Sequence, residues 1–264
     1  MGFDISYHPI SETEIKNWYF DTLATPARIP ELASEYKIDD FYKSKFFELI
    51  SVALGVLPTH HFEKTHGYFI AVTQGFFRTY YYTRGSAFSF LIEDKPSFKN
   101  YTKSWQDIVD FEIENPVHNK IFENYSSGVY IPADKVVALL SDYETNAHVK
   151  EELDSFFSDG RIDVFLAALK HSKELGAGLL EATEVVEPNP FEMEKSISYS
   201  NLFNCDKEGV YLYIDAAAEQ MREIEKAHNL KQGEISQNAD YVKINVEAPE
   251  KPEKKSFWQK LFGK

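Results

Sequence analysis

The sequence predicts a helix-rich α+β fold: a single globular domain with a small sheet of short strands, followed by a flexible linker and a short amphipathic C-terminal helix. Three observations carry this. Apolar residues recur at helical spacing in several segments, whereas strand-like alternation is short and scattered, without the regular exchange of strand and helix that builds a parallel sheet. Aromatic residues make up 15 % of the 264, with 21 Phe and 16 Tyr, which is a folding rather than a disordered composition on a chain long enough for a sizeable core. After residue 230 the composition turns to Gln, Asn, Glu, Lys and Pro. The boundaries read from these are a globular domain over 1–230, a polar linker over 231–254 in which 241–246 alternates like an edge strand, and a basic tail over 255–264.

Along the chain, residues 3–7 alternate as a short strand. Ser11-Glu-Thr-Glu14 is a capping box, in which the Ser11 hydroxyl and the Glu14 carboxylate each satisfy a free N–H at a helix start. The helix it opens carries Ile15, Trp18, Tyr19 and Leu23, and Pro26 and Pro30 punctuate it, with a short helix from Pro30. Asp39 or Asp40 caps the next helix, which runs to Gly55. Phe69, Val72, Phe76, Phe77 and Tyr80 are spaced for a buried helix reaching about residue 82, although the tyrosine run 80–82 suits a strand equally. A turn at Gly85 then leads to a strand at 88–92. Ser104 marks another helix start, and 116–124 reads as a further turn or two.

Residues 128–131 read as a buried strand, and Pro132 sits at the first turn of a helix. Helices follow at 146–157 and 161–175, the second ended by Gly176 and Gly178. The β-branched run 179–186 reads as a strand, as does 209–214, after which Asp215 caps a last helix to about residue 230.

Composition also narrows function. The net charge of −14 argues against general nucleic-acid binding, which needs clustered Lys and Arg against phosphates. It favours solubility and a basic partner. A single cysteine, Cys205, cannot form an intramolecular disulfide. The N-terminal residues lack a basic stretch followed by an apolar run, and no apolar stretch of about 18 residues exists to span a membrane. The expected location is the cytoplasm.

Two segments carry chemistry-bearing residues. His60, His61 and His66, with Glu63 among them, offer ligand types suited to zinc or a similar metal. Their spacing is not that of a helical zinc motif, so loop histidines or helix-cap partners are the competing reading. The second segment holds Gln74, Arg78, Arg84 and Ser86 in a strongly aromatic run that contains two of the five arginines. Arginine there needs a carboxylate, an aromatic face or a ligand anion. Pairing within the acidic majority and a pocket for a phosphate, carboxylate or sugar both remain open. The acidic run Asp107, Asp110, Glu112 and Glu114 reads as a solvated face. Glu181 and Glu184 would point to opposite sides of a strand. There is no nucleophile elbow or glycine-rich phosphate loop, and no cofactor is expected.

The tail contrasts with the body. Residues 251–264 carry five lysines and one glutamate, and Phe257, Trp258, Leu261 and Phe262 would share one helix face. About two turns are too short for a stable isolated helix, so this element is expected to dock on the body, on a protein groove or weakly on a membrane surface. Together these features lead to a non-enzymatic cytosolic binding protein acting through its acidic surface. An immunity-type inhibitor of a toxin is one concrete form. The alternative is a small-ligand module or enzyme using the Arg/aromatic segment with a histidine metal site.

Overall fold

The computed structural model describes residues 3–235; the linker from 236, the strand expected at 241–246 and the docking residues Phe257, Trp258, Leu261 and Phe262 lie outside them. The elements run β1 (Asp4–Ile10), α1 (Glu12–Glu14), a π-helical turn (Ile15–Phe20), α2 (Asp21–Ala24), α3 (Ile29–Glu35), α4 (Asp40–Ala53), a second π-helical turn (Glu63–Gly67) and α5 (Tyr68–Phe77). There follow β2 (Tyr81–Arg84), α6 (Phe88–Asp94), β3 (Ser127–Ile131), α7 (Ala133–Thr145), α8 (Ala147–Phe156), α9 (Arg161–Leu175), β4 (Gly178–Thr183), the short pair β5 (Val186–Glu187) and β6 (Ile197–Ser198), and α10 (Glu208–Ala227). Contacts divide the chain into a unit ending at Tyr213 and another beginning at Ile214; the sheet, its helices and every site below lie in the first.

A majority of helix around a small antiparallel sheet, with β5 and β6 as a separate two-stranded pair, makes this the expected α+β fold. Four strands lie in the order β2-β1-β4-β3. The central β1 pairs with β2 through Ile5 opposite Thr83, and with β4 through Tyr7 opposite Glu181. Alternation along β1 then assigns the two faces. Tyr7 packs its ring on Phe165 of α9 at 5.0 Å, within a core that includes Ile5, Val136, Leu139, Phe157 and Leu179. His8 points the other way, to Gln74 of α5. The sheet is thus covered by helices on both sides, which is why all of β3 and β4 is buried.

Local sequence accounts for several elements. Ser11 and Glu14 form the expected capping box, Asp39 accepts the Tyr42 N–H to cap α4, and Gly176 ends α9 in the left-handed region at φ 63°.

Elsewhere remote contacts overrule local pattern. The helix expected to reach residue 82 stops at Phe77, because Tyr81 and Tyr82 pair with Tyr7 and Ser6 in the sheet. Residues 88–92 form α6, not a strand. Ala87 supplies no side-chain cap; instead the Tyr7 hydroxyl accepts the Phe88 N–H at 3.1 Å and the Glu181 carboxylate accepts the Ser89 N–H at 3.3 Å. Residues 209–214 are helical as well. Asp206 accepts the Glu208 N–H at the start of α10, so Asp215 lies within the helix rather than capping it. The helix expected after Ser104 is a single 3-10 turn, Trp105–Asp107. Residues 116–124 form no helix: His118, Asn119 and Glu123 adopt positive φ, and Glu63 takes the Asn119 N–H at 2.9 Å.

Candidate functional site

The two arginines singled out by the sequence are held by carboxylates of the same chain. Arg78 bonds Glu14 through both terminal nitrogens, at 2.5 and 3.1 Å, and also the Pro9 carbonyl. Burial pushes the Glu14 carboxyl up, but the hydrogen bonds from Arg78 and Ser11 outweigh it, leaving the group below its usual range. Arg84 pairs with Asp4 at 2.5 Å and lies over the Tyr213 ring. Gln74 is wholly buried and donates to the Pro9 and Thr79 carbonyls. Ser86 contributes its carbonyl to the Tyr7 hydroxyl. Of the two readings open for Gln74, Arg78, Arg84 and Ser86, pairing within the acidic majority holds for the arginines and the shared pocket does not: they form two separate ion pairs, and Gln74 is a core amide. Nor does Glu181 or Glu184 serve either arginine.

Gln74 belongs to a relay the sequence did not suggest. Its Oε1 lies 2.7 Å from His8 Nδ1, and His8 Nε2 lies 2.8 Å from Ser6 Oγ. Burial drops the imidazole to about 3, so it is neutral, and Gln74 can only accept from Nδ1. Nε2 then accepts from the serine. Such an order of hydroxyl, imidazole and acceptor is that of a nucleophilic triad. Here Ser6, His8 and Gln74 are 1 %, 0 % and 0 % exposed, and none lines a described cleft. The relay satisfies polar groups inside the sheet–α5 layer.

The histidines separate. His61 donates from Nδ1 to the Asn115 carbonyl at 2.8 Å and packs on Phe122. His60 and His66 instead line a cleft of about 240 Å³ with Phe62, Phe111, Glu112 and Glu114. Among the described residues no group of three or more His, Cys, Asp or Glu is placed to hold a metal ion, so of the two readings of His60, His61 and His66 the metal site does not assemble.

What does assemble around His66 is a groove. A second cleft of about 460 Å³, lined by Glu12, Lys16, Phe20, Asp21 and the 108–111 segment, meets the first at Phe111. The Phe111 ring stands edge-on to Phe20 at 5.6 Å and is 43 % exposed. Both π-turns border this groove, Lys16 and Phe20 from the first and His66 from the second. A π-turn inserts a residue into a helix and occurs frequently at functional sites. The two turns are joined by a hydrogen bond between the Tyr19 hydroxyl and His66 Nδ1 at 2.6 Å. Burial and the proximity of His60 hold His66 near 4, so it faces the groove uncharged.

The outer wall is fixed by side-chain amides. Gln106 donates to the Phe111 carbonyl and accepts the Ile113 N–H, clamping the acidic stretch between them. Asn115 donates to the Thr59 carbonyl at 2.6 Å and ties that stretch to the segment bearing the histidines. Glu12 is paired with Lys103, and Asp21 with Lys16. Among the described residues Asp110, Glu112 and Glu114 have no cationic partner. The groove therefore has an aromatic floor, a neutral imidazole and unneutralised carboxylates on one wall. That arrangement sets negative charge beside aromatic faces.

No family model, curated protein or solved structure matches the chain.

Proposed function

We propose that this is a non-enzymatic cytosolic binding protein whose acidic groove between the two π-turns receives a basic segment of a protein partner. The observation that carries the reading is the set of carboxylates without a cationic partner among the described residues, Asp110, Glu112 and Glu114, on a clamped wall facing Phe20, Phe62, Phe111 and His66. Clustered carboxylates on a chain of net charge −14 are mutually repelled, and a basic partner relieves that repulsion while steering association. The aromatic floor supplies cation–π faces and apolar contact for the stems of lysine or arginine. An inhibitor of the immunity type, seated on a basic toxin surface, is a concrete form of such a protein.

The test is a fluorescence-anisotropy titration with a labelled oligo-lysine peptide carrying one central tryptophan. Binding should weaken steeply as salt rises. The triple variant Asp110→Asn/Glu112→Gln/Glu114→Gln should lose most of it, whereas removing three exposed acids elsewhere (Glu144, Glu151 and Asp163) should have a small effect. Binding indifferent to salt, equal losses in the two triple variants, or no binding would each count against the groove.

A further inference from the structure

The groove offers apolar surface as well as charge. Leu57 is 58 % exposed and Phe111 43 %, and with Val56, Pro58 and Phe20 they line the two joined clefts beside Asp110, Glu112 and Glu114. A contiguous apolar surface rimmed by charge marks a place that another chain segment covers. The lining also sets what that segment must carry. Lysines alone would answer the carboxylates and leave Leu57 and Phe111 in water. The fitting occupant brings large apolar anchors and several cations within a few residues.

This chain contains such a segment. Residues 254–264 hold Phe257, Trp258, Leu261 and Phe262 among Lys254, Lys255, Lys260 and Lys264, with no acidic residue between them. No other stretch of that length in the chain carries four net positive charges. Residues 236–253 lie between it and the described part of the protein. A polar chain of about 18 residues spans roughly 25 Å on average and about 60 Å when extended, enough to carry the segment across a domain of this size. Docking would then be intramolecular, at an effective concentration of about 1 mM.

We propose that residues 254–264 seat in the acidic groove of the same chain, their aromatic side chains over Phe20 and Phe111 and their lysines beside Asp110, Glu112 and Glu114, and that a partner's basic segment binds by displacing them. This rests on the groove being the partner-binding site. The segment acts as an internal competitor. An intrinsic dissociation constant of about 100 μM would keep the groove about 90 % occupied and weaken an external basic segment about tenfold. Weakly binding lysine-rich chains are thereby held off the groove.

The contact is tested on the isotope-labelled full chain with a nitroxide at residue 263, attached through Gly263→Cys. The native cysteine does not compete for the label: Cys205 is buried, and burial pushes its thiol up to about 12. Docking predicts paramagnetic broadening strongest at Phe20, His66 and residues 110–114, reduced as salt rises and lost when Trp258→Ser/Phe262→Ser is added. Broadening spread evenly over the protein, or centred elsewhere, would overturn the proposal. So would equal broadening when nitroxide and isotope label are on different molecules.

A second readout separates this proposal from the groove itself. Trp258→Ser/Phe262→Ser leaves the net charge unchanged and should bind the labelled oligo-lysine peptide about tenfold more tightly than the parent. Unchanged affinity would reject the internal competitor while the groove stood as the partner site. No peptide binding by either chain would reject the groove, and this proposal with it.

Discussion

The Tyr19 hydroxyl and the Nδ1 atom of His66 share a hydrogen bond of 2.6 Å that joins the two π-turns. Both residues titrate away from neutrality because burial disfavours their charged forms: Tyr19 is raised well above its ordinary value and His66 is lowered to about 4. The pair thus stays neutral across the physiological range. Replacing Tyr19 with Phe leaves Nδ1 without that partner and should cost about 1–3 kcal/mol in a denaturant melt. His66 should also change its imidazole signals in an NMR spectrum, whereas a merely loosened core would leave its tautomer unchanged.

Glu181 gives a pH dependence of definite sign. It is fully buried, and desolvation outweighs the hydrogen bonds from the Ser89 hydroxyl and from the N–H groups of Ser89, Phe88 and Val129 to raise it from 4.5 to about 7. The folded state therefore holds its proton more tightly than the unfolded chain. The associated stability is fully present below pH 4.5 and is lost as pH rises through about 7. The loss amounts to roughly 3 kcal/mol at most. Glu181→Gln should flatten this part of the stability curve, so that variant minus parent grows more favourable from pH 5 to pH 8. Parallel curves would contradict the assignment.

The capping box predicts a smaller effect. Ser11 accepts the Glu14 N–H while Glu14 accepts the Ser11 N–H and also binds Arg78. Ser11→Ala should cost about 1 kcal/mol. Arg78→Met should cost more, since it leaves Glu14 half-buried without its cation, and the two losses should fail to add because they share Glu14. A double-mutant cycle measures this.

Gly209 reverses an ordinary rule. In an exposed helix, alanine in place of glycine stabilises by up to about 1 kcal/mol. At Gly209 a Cβ would come 1.7 Å from the Tyr82 carbonyl oxygen, an atom of backbone. Gly209→Ala should therefore destabilise by about 1–3 kcal/mol or more through a shift of α10 from β2. A stabilised variant would show that the first turn of α10 does not lie against that strand.

What the sequence made legible follows from the range of the interactions. Ser11, Asp39 and Gly176 act on N–H and carbonyl groups a few residues away, so their helices could be read directly. The start of α6 could not, because its caps, Tyr7 and Glu181, come from 81 and 92 residues away. Val210–Ile214 carries the β-branched and aromatic residues of a strand, yet Asp206 starts a helix there. Propensity yielded to tertiary placement. The same distinction governs the sites. His60 and His66 stood out as titratable groups, but their setting is made by Phe20 and by an acidic stretch that reads as solvated surface when taken alone. Arg78 and Arg84 stood out because buried cations need partners, and Glu14 and Asp4 are those partners.

The most direct measurement of the central claim is residue-resolved mapping of a basic peptide on the isotope-labelled full chain. The groove predicts saturable amide shifts at Lys16, Phe20, His66 and residues 110–114, collapsing as salt is raised. Shifts centred elsewhere, such as the acidic surface of α7 and α8, with 110–114 unmoved would contradict it.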